Sequence, residues 1–302
     1  MVLKLEKLLK ILKLNPHDRV ASGDYLDFPL KVSHSLIKRI AVGNLNDPIL
    51  LQFLPQQAEL KDAKGFNLDP LDEQKNSPHI GLVHKYPGRV LLLVTDKCSV
   101  NCRFCFRKYF REKISEWVKV FDYIENDQSL EEVILSGGDP LMLDSRELNN
   151  IFERLANIPH VKRVRIHTRL PVTMPEKVNL GLLQLRLPVI LVIHCNHPNE
   201  INDDVVKAIG RLQKKGIVVF NQSVLLRHIN DDAKTLMKLS ERLFSMGVIP
   251  YYLHVLDKVK GTRHFDVSIE RAKRIHSELR KNLSGYLVPR LVVEKKWGKV
   301  LL

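Results

Sequence analysis

At 302 residues and 44% apolar composition, the chain is long enough to bury a full core, which argues against disorder and fits one large domain with or without extensions. The formal net charge is +14, yet Lys and Arg are dispersed rather than gathered in a block, so no nucleic-acid partner is expected. No apolar run approaches the roughly 18 to 20 residues that span a bilayer, so a cytoplasmic protein without a membrane partner is expected.

The opening segment MVLKLEKLLKILKLN divides its leucines with Lys4, Lys7, Lys10 and Lys13 at helical spacing. It lacks the unbroken apolar stretch of a signal peptide and predicts an amphipathic helix packed on the body, with a membrane-surface helix as the rival reading. Residues 1–88, with their Pro and Asn clusters, predict a mostly helical N-terminal extension. From 89 to 283, short Val/Ile/Leu runs alternate with helical patterning. Strands are predicted at 89–95, 131–136, 163–168, 188–194, 216–226 and 248–256, with helices near 115–127, 144–157, 175–185, 200–214, 232–246 and 268–282. A last strand at 285–293 belongs to a C-terminal segment, 284–302.

Near-continuous apolar strands joined by helices imply a parallel sheet covered by helices. Six to seven such units suit an α/β fold of the TIM-barrel type, either a closed barrel or an incomplete (βα)6 one, with a flat doubly wound sheet as the alternative. Ligands in such folds bind at the carboxyl ends of strands, and the chemically suggestive residues fall there. The cysteine loop follows the first strand, Ser136-Gly137-Gly138-Asp139-Pro140 closes the second, and His167 and Arg169 close the third. His194 to His197 close the fourth, Gln222 lies in the fifth, and His254 and Asp257 end the sixth.

Cys98, Cys102 and Cys105 have the spacing C-x3-C-x2-C, compact enough for one loop to present three thiolates to a cubane cluster. Purely electron-transferring clusters usually take four cysteines, so three leave one iron open to an external ligand. S-adenosylmethionine (SAM) can chelate that iron through its amino and carboxylate groups and be cleaved by one electron to a 5′-deoxyadenosyl radical. The rival is structural zinc with Cys195 or a histidine as fourth ligand, although zinc sites usually pair C-x2-4-C with a second matching pair. The glycine turn, weak alone, gains value by lying one βα unit after the cysteine loop.

That combination resembles the radical SAM superfamily. More narrowly, HKYPGRVLLLVTDKCSVNCRFCFR (84–107), ILSGGDPLM (134–142), RIHTRLPV (165–172), HCNHPNEI (194–201), NQSVLLRHIND (221–231) and YYLHVLDKVKGTRHF (251–265) are similar, in order, to the lysine 2,3-aminomutases. GYLVPRL (285–291) resembles the branch that makes (R)-β-lysine for elongation factor P, the EpmB type. The resemblance implies an isomerase that moves the lysine amino group from C2 to C3, using a [4Fe-4S] cluster, SAM and pyridoxal 5′-phosphate (PLP). It also implies an electron donor such as a reductase or flavodoxin, a functional link to elongation factor P and its lysyl ligase, and a homo-oligomer. Alternatives are an aminomutase for another amino acid and a non-catalytic iron–sulfur protein.

The resemblance assigns roles residue by residue. Cys98, Cys102 and Cys105 would ligate the cluster, and Ser136, Gly137, Gly138, Asp139, His167 and Gln222 would form the SAM pocket. Lys85 and Arg89 would hold the PLP phosphate, Arg107 the substrate carboxylate as a bidentate fork, and Asp257 the lysine ammonium. Of the tail lysines, Lys299 follows Gly298 and is the expected Schiff-base residue in preference to Lys295 and Lys296. The family's second aspartate, in the strand before this loop, is matched to Pro289-Arg290, a cation unable to pair with an ammonium. Either Asp257 acts alone, then, or another group helps.

Overall fold

The computed structural model describes residues 4–15, 20, 28–110, 112–178 and 186–302. The N-terminal part contains α1 (Leu5–Ile11), α2 (His34–Ile37) and several 3-10 turns, among them Gln74–Asn76. Leu8, Leu9 and Leu12 are buried against Leu36, Ile37, Leu50 and Phe53, so the amphipathic start packs on the body. Val100 of the cysteine loop belongs to the same cluster. No helix among the described residues is long and apolar enough to cross a membrane.

The remainder is a βα series: β1 (Leu82–Tyr86), β2 (Arg89–Thr95), α3 (Trp117–Asn126), β3 (Glu132–Gly137), α4 (Ser145–Ala156), β4 (Arg163–Thr168), α5 (Leu170–Thr173), β5 (Val189–His194), α6 (Asp203–Gln213), β6 (Val218–Leu225), α7 (Ala233–Ser245), β7 (Ile249–Val255), α8 (Ile269–Asn282), β8 (Arg290–Lys295) and β9 (Gly298–Leu301). Strand order follows chain order from β1 to β9, with β2 to β8 parallel and β1 and β9 antiparallel at the two edges. This is the incomplete barrel the βα alternation predicts, extended at each edge by one strand.

Several helix starts are fixed by side chains in the chain just before them. Asn202, Asp232 and Ser268 accept hydrogen bonds from the amides of Val205, Thr235 and Arg271, and each such cap contributes about 1 kcal/mol. The helix expected near 175–185 differs. Pro171 lies in α5 and Pro175 opens a separate 3-10 turn, Pro175–Lys177, while 179–185 lies outside the described residues. The last predicted strand begins later, at Arg290, because Gly285–Leu287 forms a 3-10 turn and Pro289 has no amide proton for a ladder.

Along β4, Val164, Ile166 and Thr168 are buried while Arg163, Arg165 and His167 are half-buried. The apolar core accordingly lies between strands and helices, where Val164 and Ile166 join Leu148, Ile151, Phe152, Val205 and Ile209. The other face carries polar groups: Arg163 and Arg165 pair with Glu132 of β3. The barrel interior is polar here, and its C-terminal mouth can hold a ligand rather than packed aliphatic layers.

Candidate active site

At that mouth lies a cavity of about 420 Å³, within the range of small-molecule sites. It is lined by Cys98, Cys102 and Cys105, by Ser136, Gly137, Gly138 and Asp139, by Lys85, Arg89, Arg107, His167, Gln222, Asp257 and Lys299. Residues from Leu71 to Lys299, drawn from the strand ends of the barrel and from both edges of the sheet, thus converge on one space.

The cysteine loop is held by the N-terminal part. Asn101 N donates to Lys31 O (2.9 Å), the Asn101 side chain to Pro29 O (2.9 Å), and Arg103 N to Gln52 O (2.9 Å). Arg103 is fully buried and donates from Nε (2.9 Å) and Nη2 (2.5 Å) to Glu59, which also takes Lys108 Nζ at 3.0 Å. None of the four cysteines forms a disulfide. Cys195 is fully buried in the core, its thiol against His197 O, whereas the other three face the cavity. A donor set of three thiols on one anchored loop fits an iron–sulfur cluster.

The glycine turn clasps the start of this loop. Gly138 N donates to Thr95 O (2.6 Å) and Asp139 N to Lys97 O (2.8 Å). A Cβ at Gly137 would stand 2.5 Å from Thr95 O, and one at Gly138 would stand 2.3 Å from Lys97 O, so no side chain fits either place. Asp139 is buried, and its carboxylate accepts from Thr168 Oγ1 (2.6 Å), Arg169 N (2.8 Å) and Leu141 N (3.1 Å). These bonds lock the end of β4 to the glycine turn. The buried His167 Nε2 has no hydrogen-bond partner among the described residues, a polar atom of a side chain that lines the cavity. Burial, then the cations Arg165, Lys299 and Arg107, hold His167 well below the usual imidazole range, so its ring is neutral.

Arg107 is already engaged. Glu73, which the sequence reading did not single out, accepts from Nε (2.7 Å) and Nη2 (2.6 Å), and Ser136 Oγ accepts from Nη1 (3.0 Å). A guanidinium carries five N–H donors, so these three bonds leave one proton on Nη1 and one on Nη2.

At the opposite side, β8 and β9 form a hairpin in which Glu294 faces Lys299 and Lys295 pairs with Gly298. Gly298 has φ +143, and a Cβ there would meet the Tyr86 ring at 3.1 Å. Lys299 is half-buried, its Nζ 2.7 Å from Glu294 Oε2 and 5.3 Å from the Tyr252 ring centre. Lys295 and Lys296 are exposed, and Lys296 reaches Asp72 at 2.7 Å. Glu294 also accepts from Lys85 Nζ (3.0 Å) and Tyr86 OH (2.8 Å), so side chains of edge strand β1 bridge to the β8–β9 edge. Arg290 is exposed. Where the sequence offered Arg290, the carboxylate that lines the cavity in this stretch is Glu294, a lone glutamate beside a lysine run whose only sequence signal was its place in the strand before Gly298.

Burial opposes the charge on Glu294, but Lys299, Lys85 and the Tyr86 hydroxyl outweigh it and bring its pKa down to about 2. For Asp257 the balance reverses: burial, then the Glu294 charge, pushes its carboxyl up to about 7. Burial and the Lys299 ammonium hold His254 at about 3, a neutral ring with an unpartnered Nε2. The mouth thus offers cations at Lys85, Arg89, Arg107 and Lys299, a fixed anion at Glu294 and a carboxyl poised near neutrality at Asp257.

Residues 92–240 match the radical SAM superfamily model, a family whose members carry a [4Fe-4S] cluster and use SAM. The L-lysine 2,3-aminomutase of Escherichia coli K12 is 44% identical over 96% of this chain and 87% of its own length. That of Buchnera aphidicola is 44% identical over 96% of this chain and 88% of its own, and that of Acetoanaerobium sticklandii is 37% identical over 97% and 73%. Identity at this level along nearly the whole length, with the superfamily match over the barrel, means that the chain belongs to the lysine 2,3-aminomutase family of radical SAM enzymes.

Proposed function

We propose that this chain isomerises L-lysine to (R)-β-lysine with a [4Fe-4S] cluster, SAM and PLP, and that the product serves the modification of elongation factor P. The observation that carries the reading is the one cavity onto which three cluster-type thiols, a glycine turn, a cationic group, a lysine paired with Glu294 and the carboxyl of Asp257 all open. Bound there, the cluster and SAM would supply the one-electron chemistry that removes and returns a hydrogen, and PLP would supply a carbonyl that keeps the migrating nitrogen tethered.

The chain's own residues hold and orient. Cys98, Cys102 and Cys105 would hold the cluster, and Ser136, Gly137, Gly138, Asp139, His167 and Gln222 would shape the SAM side. Lys85 and Arg89 would meet the PLP phosphate, and Lys299 would hold the cofactor between turnovers. Arg107, gripped side-on by Glu73, turns its two remaining protons to the substrate carboxylate. Asp257 and Glu294 face the substrate ammonium, which disfavours an acidic side chain such as glutamate's. Fixing carboxylate and ammonium at opposite ends sets C2 and C3 in one orientation toward both cofactors. The elongation-factor part of the reading is supported by the likeness of GYLVPRL to that branch.

Anaerobically reconstituted protein given lysine, SAM, PLP and a reductant is expected to form β-lysine, of R configuration on chiral derivatisation. Sustained SAM cleavage with no β-lysine would reject the proposal. S product would reject the elongation-factor branch.

A further inference from the structure

One buried charge at the cysteine side of the cavity has no part in the roles above. Arg169 follows β4 and is 6% exposed. Its Nη1 donates to Cys102 Sγ at 2.8 Å, and its Nη2 donates to Gln52 Oε1 (2.5 Å) and Glu200 Oε2 (2.8 Å). The guanidinium carbon lies 5.0 Å from the Phe53 ring centre and 5.5 Å from that of Phe104. Its own amide is held by Asp139. Backbone, aromatic neighbours and hydrogen bonds together keep it from swinging away from the sulfur.

Glu200 is equally fixed. It is fully buried, and its other oxygen accepts from Gln52 Nε2 (3.1 Å), Asn196 N (2.9 Å) and His197 N (3.0 Å). A buried ion pair is a poor source of stability, because desolvating both charges offsets most of their attraction. Here the pair has an outlet: one N–H of the cation points at a sulfur of the cysteine loop. Hydrogen bonds to ligating sulfurs and the local net charge are among the factors that set iron–sulfur potentials, and burial leaves such charges poorly screened. Reduction adds an electron to the cluster, so a fixed cation beside it favours the reduced form, and a carboxylate behind that cation tempers the effect.

We propose that Arg169 raises the reduction potential of the cluster held by Cys98, Cys102 and Cys105, and that Glu200 limits the rise. Arg169 is thus a positioning residue that acts through a ligand sulfur and makes the cluster easier for the electron donor to reduce. The inference rests on the cluster assignment made above.

The test is a redox titration of reconstituted protein, without SAM or lysine, followed by the paramagnetic signal of the reduced cluster. Arg169→Gln is expected to lower the reduced-to-oxidised ratio at a fixed potential about tenfold, a downward midpoint shift of about 59 mV for a one-electron couple. Glu200→Gln is expected to move the midpoint upward. Opposite shifts from two members of one hydrogen-bonded group are not what loosened packing gives. An unchanged midpoint in Arg169→Gln, or shifts of the same sign in both variants, would overturn the proposal. Should Arg169→Gln assemble no cluster, Glu200→Gln carries the test alone: an upward shift supports the proposal, and no shift or a downward one refutes it. Wild-type protein that takes up no iron would instead defeat the cluster assignment itself, before any midpoint is read.

Discussion

At the cysteine side of the cavity, functional groups sit on a loop bonded to residues 29–52, and the buried cations Arg103 and Arg169 are matched by Glu59 and Glu200. At the tail side, Lys299 stands on the four-residue edge strand β9, partnered only by β8, and Lys85, Tyr86 and Lys299 share the single carboxylate Glu294. The first side is rigid by burial and the second by convergence of charges. A cluster would need three sulfurs held in fixed places, whereas a lysine holding a cofactor between turnovers, as proposed for Lys299, would have to leave and regain its carboxylate partner.

Substitutions can break or sharpen this contrast. The largest effect is expected at the cysteines: Cys98→Ala should abolish incorporation of the cluster, read as iron content and SAM cleavage, while Cys195→Ala, in the core behind, should retain both. Next, Lys299→Ala should remove the visible absorbance of bound PLP while Lys295→Ala keeps it, since only the former side chain enters the cavity. If no tail-lysine variant loses the chromophore, the tail assignment fails. Glu59→Gln leaves Arg103 and Lys108 buried without their counter-charge, and loss of one partner of such a group costs about 3–5 kcal/mol. Denaturant unfolding should register that loss at the cysteine side, with no comparable loss in Lys296→Ala at the exposed tail turn.

The smallest expected effect is a pH dependence. Asp257 has its pKa raised to about 7, so it is neutral below that value and anionic above it. Only the anion attracts the substrate ammonium, so kcat/KM for lysine should rise as pH climbs through about 7 and then level. Asp257→Asn should flatten that rise. A falling profile in the wild type would contradict the assignment of Asp257 to the ammonium.

The same contrast explains what the sequence disclosed. The βα alternation predicted all seven parallel strands, and six of them close to their observed bounds, because each is apolar on its helix-facing side, as Val164 and Ile166 show; only the last begins later, at Arg290. The cysteines and the glycine turn were legible because their chemistry lies in contiguous spacing. β1 was hidden because HKY at its end reads as polar loop, yet its Lys85 and Tyr86 line the cavity. Glu73 and Glu294 are single carboxylates with no local motif; their partners Arg107 and Lys85 lie 34 and 209 residues away. The Arg169–Glu200–Gln52 group is likewise assembled across 148 residues, a distance over which spacing carries no signal.

The central claim is that both sides of the cavity act on one lysine molecule. The most direct measurement is β-lysine formation, followed by chiral mass spectrometry, in wild-type protein beside Cys98→Ala and Lys299→Ala, each supplied with SAM, PLP, lysine and reductant. Product from the wild type alone is the predicted result; product from either variant at the wild-type rate would contradict it.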